Sequence, residues 1–253
     1  MRLPRRLKPG EEATLVEHLG ELRSRLIISM AAVAVTFVVA FVFHERLIEW
    51  LREPLPDDKQ LVTLGVTEPF TTSVKVSFYA AIALSLPILL WQTWSFLAPA
   101  MEENTQRVLA VFVAVASGLF AAGLAFGYFV VMPKAVEFLT AYDDELYDIQ
   151  VRASYYFSFV AIMLLAIAFF FELPIFILAL VRLGVLSSAQ LRRNRRYLVV
   201  AAVILAVLLP TVDPVSLILE VVPLLVLLEA SIWLAVLFER RWHRAEGGAL
   251  ATE

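Results

Sequence analysis

Residues 14–26 read TLVEHLGELRSRL, and no charged residue occurs in the stretch from Ile27 to Phe43 that follows. Four leucines recur at the spacing of one face of an amphipathic helix, and they are Leu15, Leu19, Leu22 and Leu26. Thr14 and Glu17 have the spacing of a capping box, which predicts that the helix begins here. The sequence therefore predicts an amphipathic helix that leads directly into a first membrane span.

Charged residues cluster on this helix just before the apolar stretch, at the level of the lipid headgroups. We call them the collar, and they are Glu17, His18, Glu21, Arg23 and Arg25. Arg23 and Arg25 fit a topological anchor that obeys the positive-inside rule. Glu21, in line with Glu17 and Arg25 at four-residue spacing, fits an acidic site for a basic ligand at the membrane surface. The two interpretations are compatible, and the pattern does not choose between them.

Composition places the chain in the membrane and excludes several function classes. Of its 253 residues 60% are hydrophobic, and the mean hydropathy is +0.79. There is no cysteine, and the three histidines are scattered, so we expect neither a metal nor a cofactor. The net charge of -3 argues against a nucleic-acid partner. The basic, polar N-terminal tail is unlike a cleavable signal peptide, so we expect the first span to be retained.

Apolar runs predict an all-α polytopic protein with six transmembrane helices in one membrane domain, residues 1–253. The predicted spans are about 26–44, 71–96, 108–132, 157–183, 198–210 and 215–238. The fifth run is too short for a bilayer core of about 30 Å. In the second span Pro87 should cause a kink or free a carbonyl, and Pro133 should end the third.

The segments between the spans fix the orientation and predict further features. An interfacial helix with Leu47, Ile48 and Leu51 on one face should end before Pro54. Small residues along the third span predict close helix contacts, and 134–156 should form an acidic outer loop. Basic residues concentrate in the N-terminal segment (1–25), the 183–197 loop and the C-terminal tail (239–253), so both termini should be cytoplasmic.

Three acids fall within predicted spans, and they are Glu172, Glu220 and Glu229. Burying an ionised carboxylate in a bilayer is costly, so each is either a hydrogen-bonded packing residue or a functional polar group. Glu229 is close enough to the cytoplasmic end to reach the headgroups.

The sequence contains no catalytic triad order, phosphate loop or dinucleotide fingerprint, and we predict that the chain is not an enzyme.

Six motifs in order resemble the TatC family, the multispanning subunit of the twin-arginine, Sec-independent protein translocase. They are HLGELRSRL at 18–26, EPF at 68–70, WSFLAPA at 94–100, GLAFGYFVVMP at 123–133, FELP at 171–174 and LLPTVDP at 208–214. The resemblance implies a curved, glove-like set of six helices, the last two of them short. It implies a signal-peptide receptor in the bacterial inner membrane, which binds twin-arginine precursors at the cytoplasmic face and exports folded proteins with the proton-motive force.

The resemblance also implies which residues bind ligands. The signal-peptide site would comprise Glu21, Leu22, Arg23, Arg25, Phe96 and Pro99. Many members carry a second glutamate six residues after the proline that matches Pro99, where this chain has Thr105. Our hypothesis is that Glu103 replaces it, with Glu102 as its neighbour.

The resemblance implies three kinds of partner for this chain, namely single-span subunits of the TatA and TatB type, further copies of the chain and the lipid bilayer. By the same resemblance the partner-subunit and intramembrane polar positions would be Glu172, Asp213, Glu229 and Pro54.

A small ion-coupled secondary transporter that uses intramembrane glutamates is the alternative function, because short helices and buried acids fit that class too. An intramembrane enzyme would need a catalytic pair that the sequence does not show.

Overall fold

The computed structural model describes residues 15–97, 105–142, 146, 149–209 and 213–249, with side chains over 19–96, 110–142, 146, 149–209 and 213–239. Over these ranges the α-helices are α1 Leu15–Val42, α2 His44–Arg52, α3 Glu68–Leu97, α4 Thr105–Phe126, α5 Met132–Ala141, α6 Ala153–Phe171, α7 Leu173–Arg182, α8 Ser188–Arg193, α9 Arg195–Val207 and α10 Pro214–Ala249. Two short strands, β1 Leu61–Val62 and β2 Val151–Arg152, and a π-helical segment, Gly127–Val131, complete the described structure.

Five helical stretches among the described residues are long and apolar enough to cross a membrane. They are Leu19–Val42, Glu68–Phe96, Ala110–Ala141, Ala153–Arg182 and Pro214–Glu239. The chain is therefore an all-α polytopic membrane protein, as the sequence predicted. Helix α9 corresponds to the short fifth run, since its 13 residues rise by about 20 Å. Helix α10 has 36 residues, so the expectation that both last helices are short is wrong for α10.

The third span does not end at Pro133. The chain passes from α4 through the π-helical segment into α5, and Pro133 lies in the first turn of α5. A proline is tolerated where its missing N–H has no helical acceptor to reach, and a π turn changes the local hydrogen-bond register. The outer loop predicted at 134–156 is therefore partly helical.

The fourth span is divided at Glu172, which lies between the end of α6 and the start of α7. The N–H of Glu172 donates to the Phe169 carbonyl at 3.1 Å, in a tightened turn, and its own carbonyl accepts from the Phe176 N–H at 3.0 Å. Pro174 occupies the first turn of α7, where it lacks an N–H for the preceding turn. By contrast, α3 continues through Pro87.

Glycines set the distance between α4 and α6, as the small residues predicted. A Cβ on Gly123 would lie 2.7 Å from the Ala168 Cα, and a Cβ on Gly127 would lie 3.0 Å from the Leu164 Cδ2. Gly118 has no such neighbour within 4 Å. Elsewhere α1 packs mainly on α3, and α10 packs on α7 and α9.

Alternating helix directions give the bundle two faces. We call the one with the start of α1, the end of α3 and α8 the amino-terminal face. The far face holds α2, the end of α5 and the two strands. The interfacial helix predicted there is α2, with Leu51 buried. The pairing of β1 with β2, which are parallel, was not predicted, because it joins two loops distant in the sequence.

Candidate functional site

The centre of the collar is an ion pair that reaches from α1 to α3. Glu21 Oε1 accepts from Arg25 Nε at 3.1 Å and from Arg25 Nη2 at 2.5 Å. The same guanidinium donates to the Ser95 carbonyl at 3.0 Å and, more weakly, to Gln92 Oε1 at 3.5 Å. Arg25 therefore fixes the start of α1 against the last turn of α3.

The Glu21 carboxylate keeps unused hydrogen-bonding capacity. The side chains of Glu21 and Arg25 are 17% and 20% exposed, so both groups are only partly hydrated. Within the part of the chain that the structure describes, the second oxygen, Glu21 Oε2, is buried and has no hydrogen-bond partner. A carboxylate accepts at both oxygens, so Oε2 is an unpaired acceptor beside the ion pair.

The apolar stripe of α1 faces outward from the protein. Leu19, Leu22 and Leu26 are 63%, 44% and 58% exposed, while Glu21 and Arg25 turn toward α3. This is the reverse of a helix on a soluble protein, because lipid rather than a protein core covers the apolar face. Periodicity predicted the stripe but not its direction.

Other residues of the predicted signal-peptide site lie nearby or outside the described structure. Phe96 is half-buried and follows Ser95, whose carbonyl accepts from Arg25, and Arg23 is exposed on α1. Pro99, Glu103 and its neighbour Glu102 are outside the described residues, as is the Thr14 cap. The structure therefore brings together Glu21, Arg25 and the end of α3.

Comparison with known proteins gives a consistent result over almost the whole chain. A family model of the Sec-independent protein translocase protein (TatC) matches residues 17–223. TatCd of Bacillus subtilis (strain 168) is 33% identical over 241 residues, which cover 95% of this chain and 99% of that protein. A TatC of Deinococcus radiodurans is 37% identical, with 92% and 90% covered.

A solved structure supports the same conclusion at the level of the fold. The crystal structure of the twin-arginine translocase receptor TatC matches with a TM-score of 0.77 and 33% identity, covering 87% of this chain and 98% of that one. The chain belongs to the TatC family. It is a multi-pass membrane component of the Sec-independent protein translocase, and the predicted resemblance is confirmed.

The remaining residues suggested by the TatC resemblance lie at separate places. Asp213 caps α10, because its Oδ1 accepts from the Ser216 N–H at 2.7 Å. Glu229 forms an ion pair with Arg195. Pro54 lies in the turn after α2, next to the buried Leu55.

Glu172 is the polar side chain at the break in the fourth span. Its Oε1 is buried and has no hydrogen-bond partner among the described residues. The side chain is half-buried at the break between α6 and α7. It is thus a polar group at an interrupted helix.

Glu68, the first residue of the EPF motif, is a structural centre that sequence reasoning missed. Its side chain is buried, and Oε1 accepts from Arg152 Nε at 3.0 Å and from the Ser154 N–H at 3.2 Å. Its Oε2 accepts from the Leu64 N–H at 2.9 Å. The hydrogen bond with Glu68 raises the pKa of the Arg152 guanidinium. Glu68 therefore joins α3 to the start of α6.

Two tyrosines hold α2 on the far face. The Tyr128 hydroxyl lies 2.7 Å from Glu53 Oε2 and 2.8 Å from the Trp50 carbonyl, and its ring stacks on Trp50 at 3.9 Å. The Tyr156 hydroxyl donates to the Leu51 carbonyl at 3.0 Å. The only signal in the sequence was Tyr128 within GLAFGYFVVMP, and it did not specify these acceptors.

Proposed function

We propose that this chain is the signal-peptide receptor of the translocase and that it binds twin-arginine precursors through Glu21. The observation that carries the proposal is that Glu21 already binds a guanidinium, that of Arg25, through two nitrogens. Because the second carboxylate oxygen is buried, a precursor arginine in the proposed complex replaces Arg25 on the carboxylate. A guanidinium can bind a carboxylate in a planar, two-pronged geometry that lysine lacks, which accounts for a preference for arginine.

The outward leucine stripe supplies the second part of the proposed site. A signal peptide carries an apolar segment after its basic one. Leu19 and Leu22 expose apolar surface on the same helix as Glu21, so both parts of the peptide can contact α1. We assign Arg23, Phe96, Pro99 and Glu103 to the borders of this site.

The proposed orientation places both termini in the cytoplasm of a cell whose inner membrane contains the protein. Its support is the excess of arginine and lysine in the segments of the amino-terminal face. The segments 1–25 and 239–253 then form cytoplasmic tails of one membrane domain, and the collar meets precursors before export.

Single-span partner subunits are proposed to bind at Glu172. Its buried oxygen would accept a hydrogen bond from a polar group of the partner helix, which offsets the cost of a polar side chain in lipid. The chain then acts as a receptor and an assembly site, driven by the proton-motive force, and not as an enzyme. The transporter alternative is not favoured by the comparisons.

Binding of a fluorescent signal peptide to the detergent-purified protein tests the receptor proposal. We expect a twin-arginine peptide to bind about tenfold more tightly than its twin-lysine analogue. Glu21→Gln should weaken arginine-peptide binding and remove this preference. Glu137→Gln is the matched control, since that carboxylate also pairs with a cation but lies exposed near the far face. Equal binding by all proteins and peptides would refute the proposal.

A further inference from the structure

The loop between α7 and α9 presents three exposed arginines. Residues 183–209 contain no aspartate or glutamate, and four arginines lie within five positions. Arg192, Arg193 and Arg196 are exposed, and over the described residues none of the three has a carboxylate partner. The fourth, Arg195, pairs with Glu229 of α10.

Helix α10 holds this loop in place through two carboxylates. Glu239 Oε2 accepts from the Ser188 N–H at 3.0 Å, at the first residue of α8, and Glu229 binds Arg195 at the first residue of α9. Leu191 is buried between these two points. The exposed guanidiniums are therefore carried by a fixed backbone. Binding a ligand then costs little conformational entropy, because the loop is already ordered.

An apolar stripe on α9 begins directly beside these arginines. The Arg196 guanidinium lies over the Tyr197 ring at 4.8 Å and donates to its hydroxyl at 3.1 Å. From Tyr197 the exposed residues continue at helical spacing, and they are Val200, Ile204 and Leu208. Tyrosine is typical of the membrane interface, so Tyr197 marks the level at which headgroup meets hydrocarbon.

We propose that Arg192, Arg193 and Arg196 form a binding site for the headgroup of an anionic phospholipid. The guanidiniums bind its phosphate oxygens with charge-assisted hydrogen bonds, and its acyl chains lie along the stripe from Val200 to Leu208. The apolar stripe favours a lipid over an acidic protein segment, because the latter has no chains to cover it. With α9 about 20 Å long, a lipid held here also sets where the bilayer surface must lie.

Because the chain has no cysteine, a single introduced cysteine gives one defined attachment site for a fluorescent label. Val200→Cys carries a bimane fluorophore, and the protein is reconstituted in vesicles that contain brominated phosphatidylglycerol or brominated phosphatidylcholine at equal mole fraction. Ile218→Cys is the control position, since it is exposed in the first turns of α10 at the far face. The combined change Arg192→Gln, Arg193→Gln and Arg196→Gln removes the proposed site.

We expect phosphatidylglycerol to be preferred about fivefold at position 200 and not at position 218. The triple change should remove the preference. High salt should also remove it in the protein with its three arginines unchanged, and this test does not depend on the folding of a variant. A preference that survives both treatments, or none in the unchanged protein, overturns the proposal. Binding of a poly-glutamate peptide to these arginines without any lipid preference would overturn it in favour of a protein ligand. Twin-arginine peptide binding is an independent readout and should not change.

Discussion

The two faces of the bundle use their polar residues differently. On the far face Glu68, Tyr128 and Tyr156 each bind groups of other elements, and the contacts join α2, α3, the π-helical segment and α6. On the amino-terminal face Glu21 keeps an unpaired oxygen among the described residues, and the arginines of the α8–α9 loop remain exposed. Polar groups of the far face thus join elements of the fold, whereas the amino-terminal face also keeps charged groups that no described residue pairs.

Glu68→Gln should give the largest loss of stability, because it removes the ion pair with Arg152 and one of the acceptors for the backbone N–H groups. We expect the melting temperature of the detergent-purified protein to fall by about 5–10 °C. Binding of the twin-arginine peptide should be retained at temperatures below the unfolding transition of the variant. Glu137→Gln is the control, since it breaks an exposed pair near the same face. Equal shifts for the two variants would contradict the structural role of Glu68.

The contact between α4 and α6 at Gly123 should give the next largest loss of stability. Gly123→Ala should lower the free energy of unfolding by about 1–3 kcal/mol, because the new methyl group meets the backbone of α6 at 2.7 Å. Gly118→Ala has open space and should be neutral or stabilising by about 0.4–1 kcal/mol. Chemical denaturation of both variants checks this, and a reversed order would show that α4 and α6 are not in close contact.

Tyr128→Phe tests the far face with a smaller change. The ring keeps its stacking on Trp50, and the lost hydroxyl should cost about 0.5–1.5 kcal/mol of stability in a denaturation experiment. Tyr155→Phe is the matched control on an exposed tyrosine nearby, which retains its contact with the Arg152 guanidinium. An effect on peptide binding rather than stability would break the division between the faces.

Arg25→Gln should have the smallest effect and the opposite sign on binding. Because Arg25 occupies one oxygen of Glu21, its removal should strengthen twin-arginine peptide binding about two- to fivefold. Fluorescence titration measures this, with Arg46→Gln on the far face as a control that should change nothing. Weaker binding would instead show that Arg25 orients Glu21 for the ligand.

Local patterns predicted the elements whose cause is local. Helix α2 with its buried Leu51, the short α9 and the small residues of α4 all follow from periodicity and composition. Continuation through Pro133 was missed because it depends on the preceding π turn, whose hydrogen bonds have no sequence signature.

The candidate sites were predicted less completely than the helices. The ion pair of Glu68 joins residues 84 positions apart, a relation that spacing cannot give. In the collar the four-residue spacing predicted that Glu21 and Arg25 share one face of the helix, but neither their ion pair nor the turn of that face toward α3. That direction depends on which side of α1 the lipid covers.

A double-mutant cycle between Glu21 and the first arginine of the signal peptide tests whether these two charges meet in the complex. Four dissociation constants are measured, with Glu21 or Glu21→Gln in the protein and arginine or glutamine in the peptide. We expect a coupling free energy of about 1.5 kcal/mol or more, as close charge pairs show. A coupling of zero would mean that the two charges do not meet, and Glu21 would then be an anchor of the collar and not the receptor site.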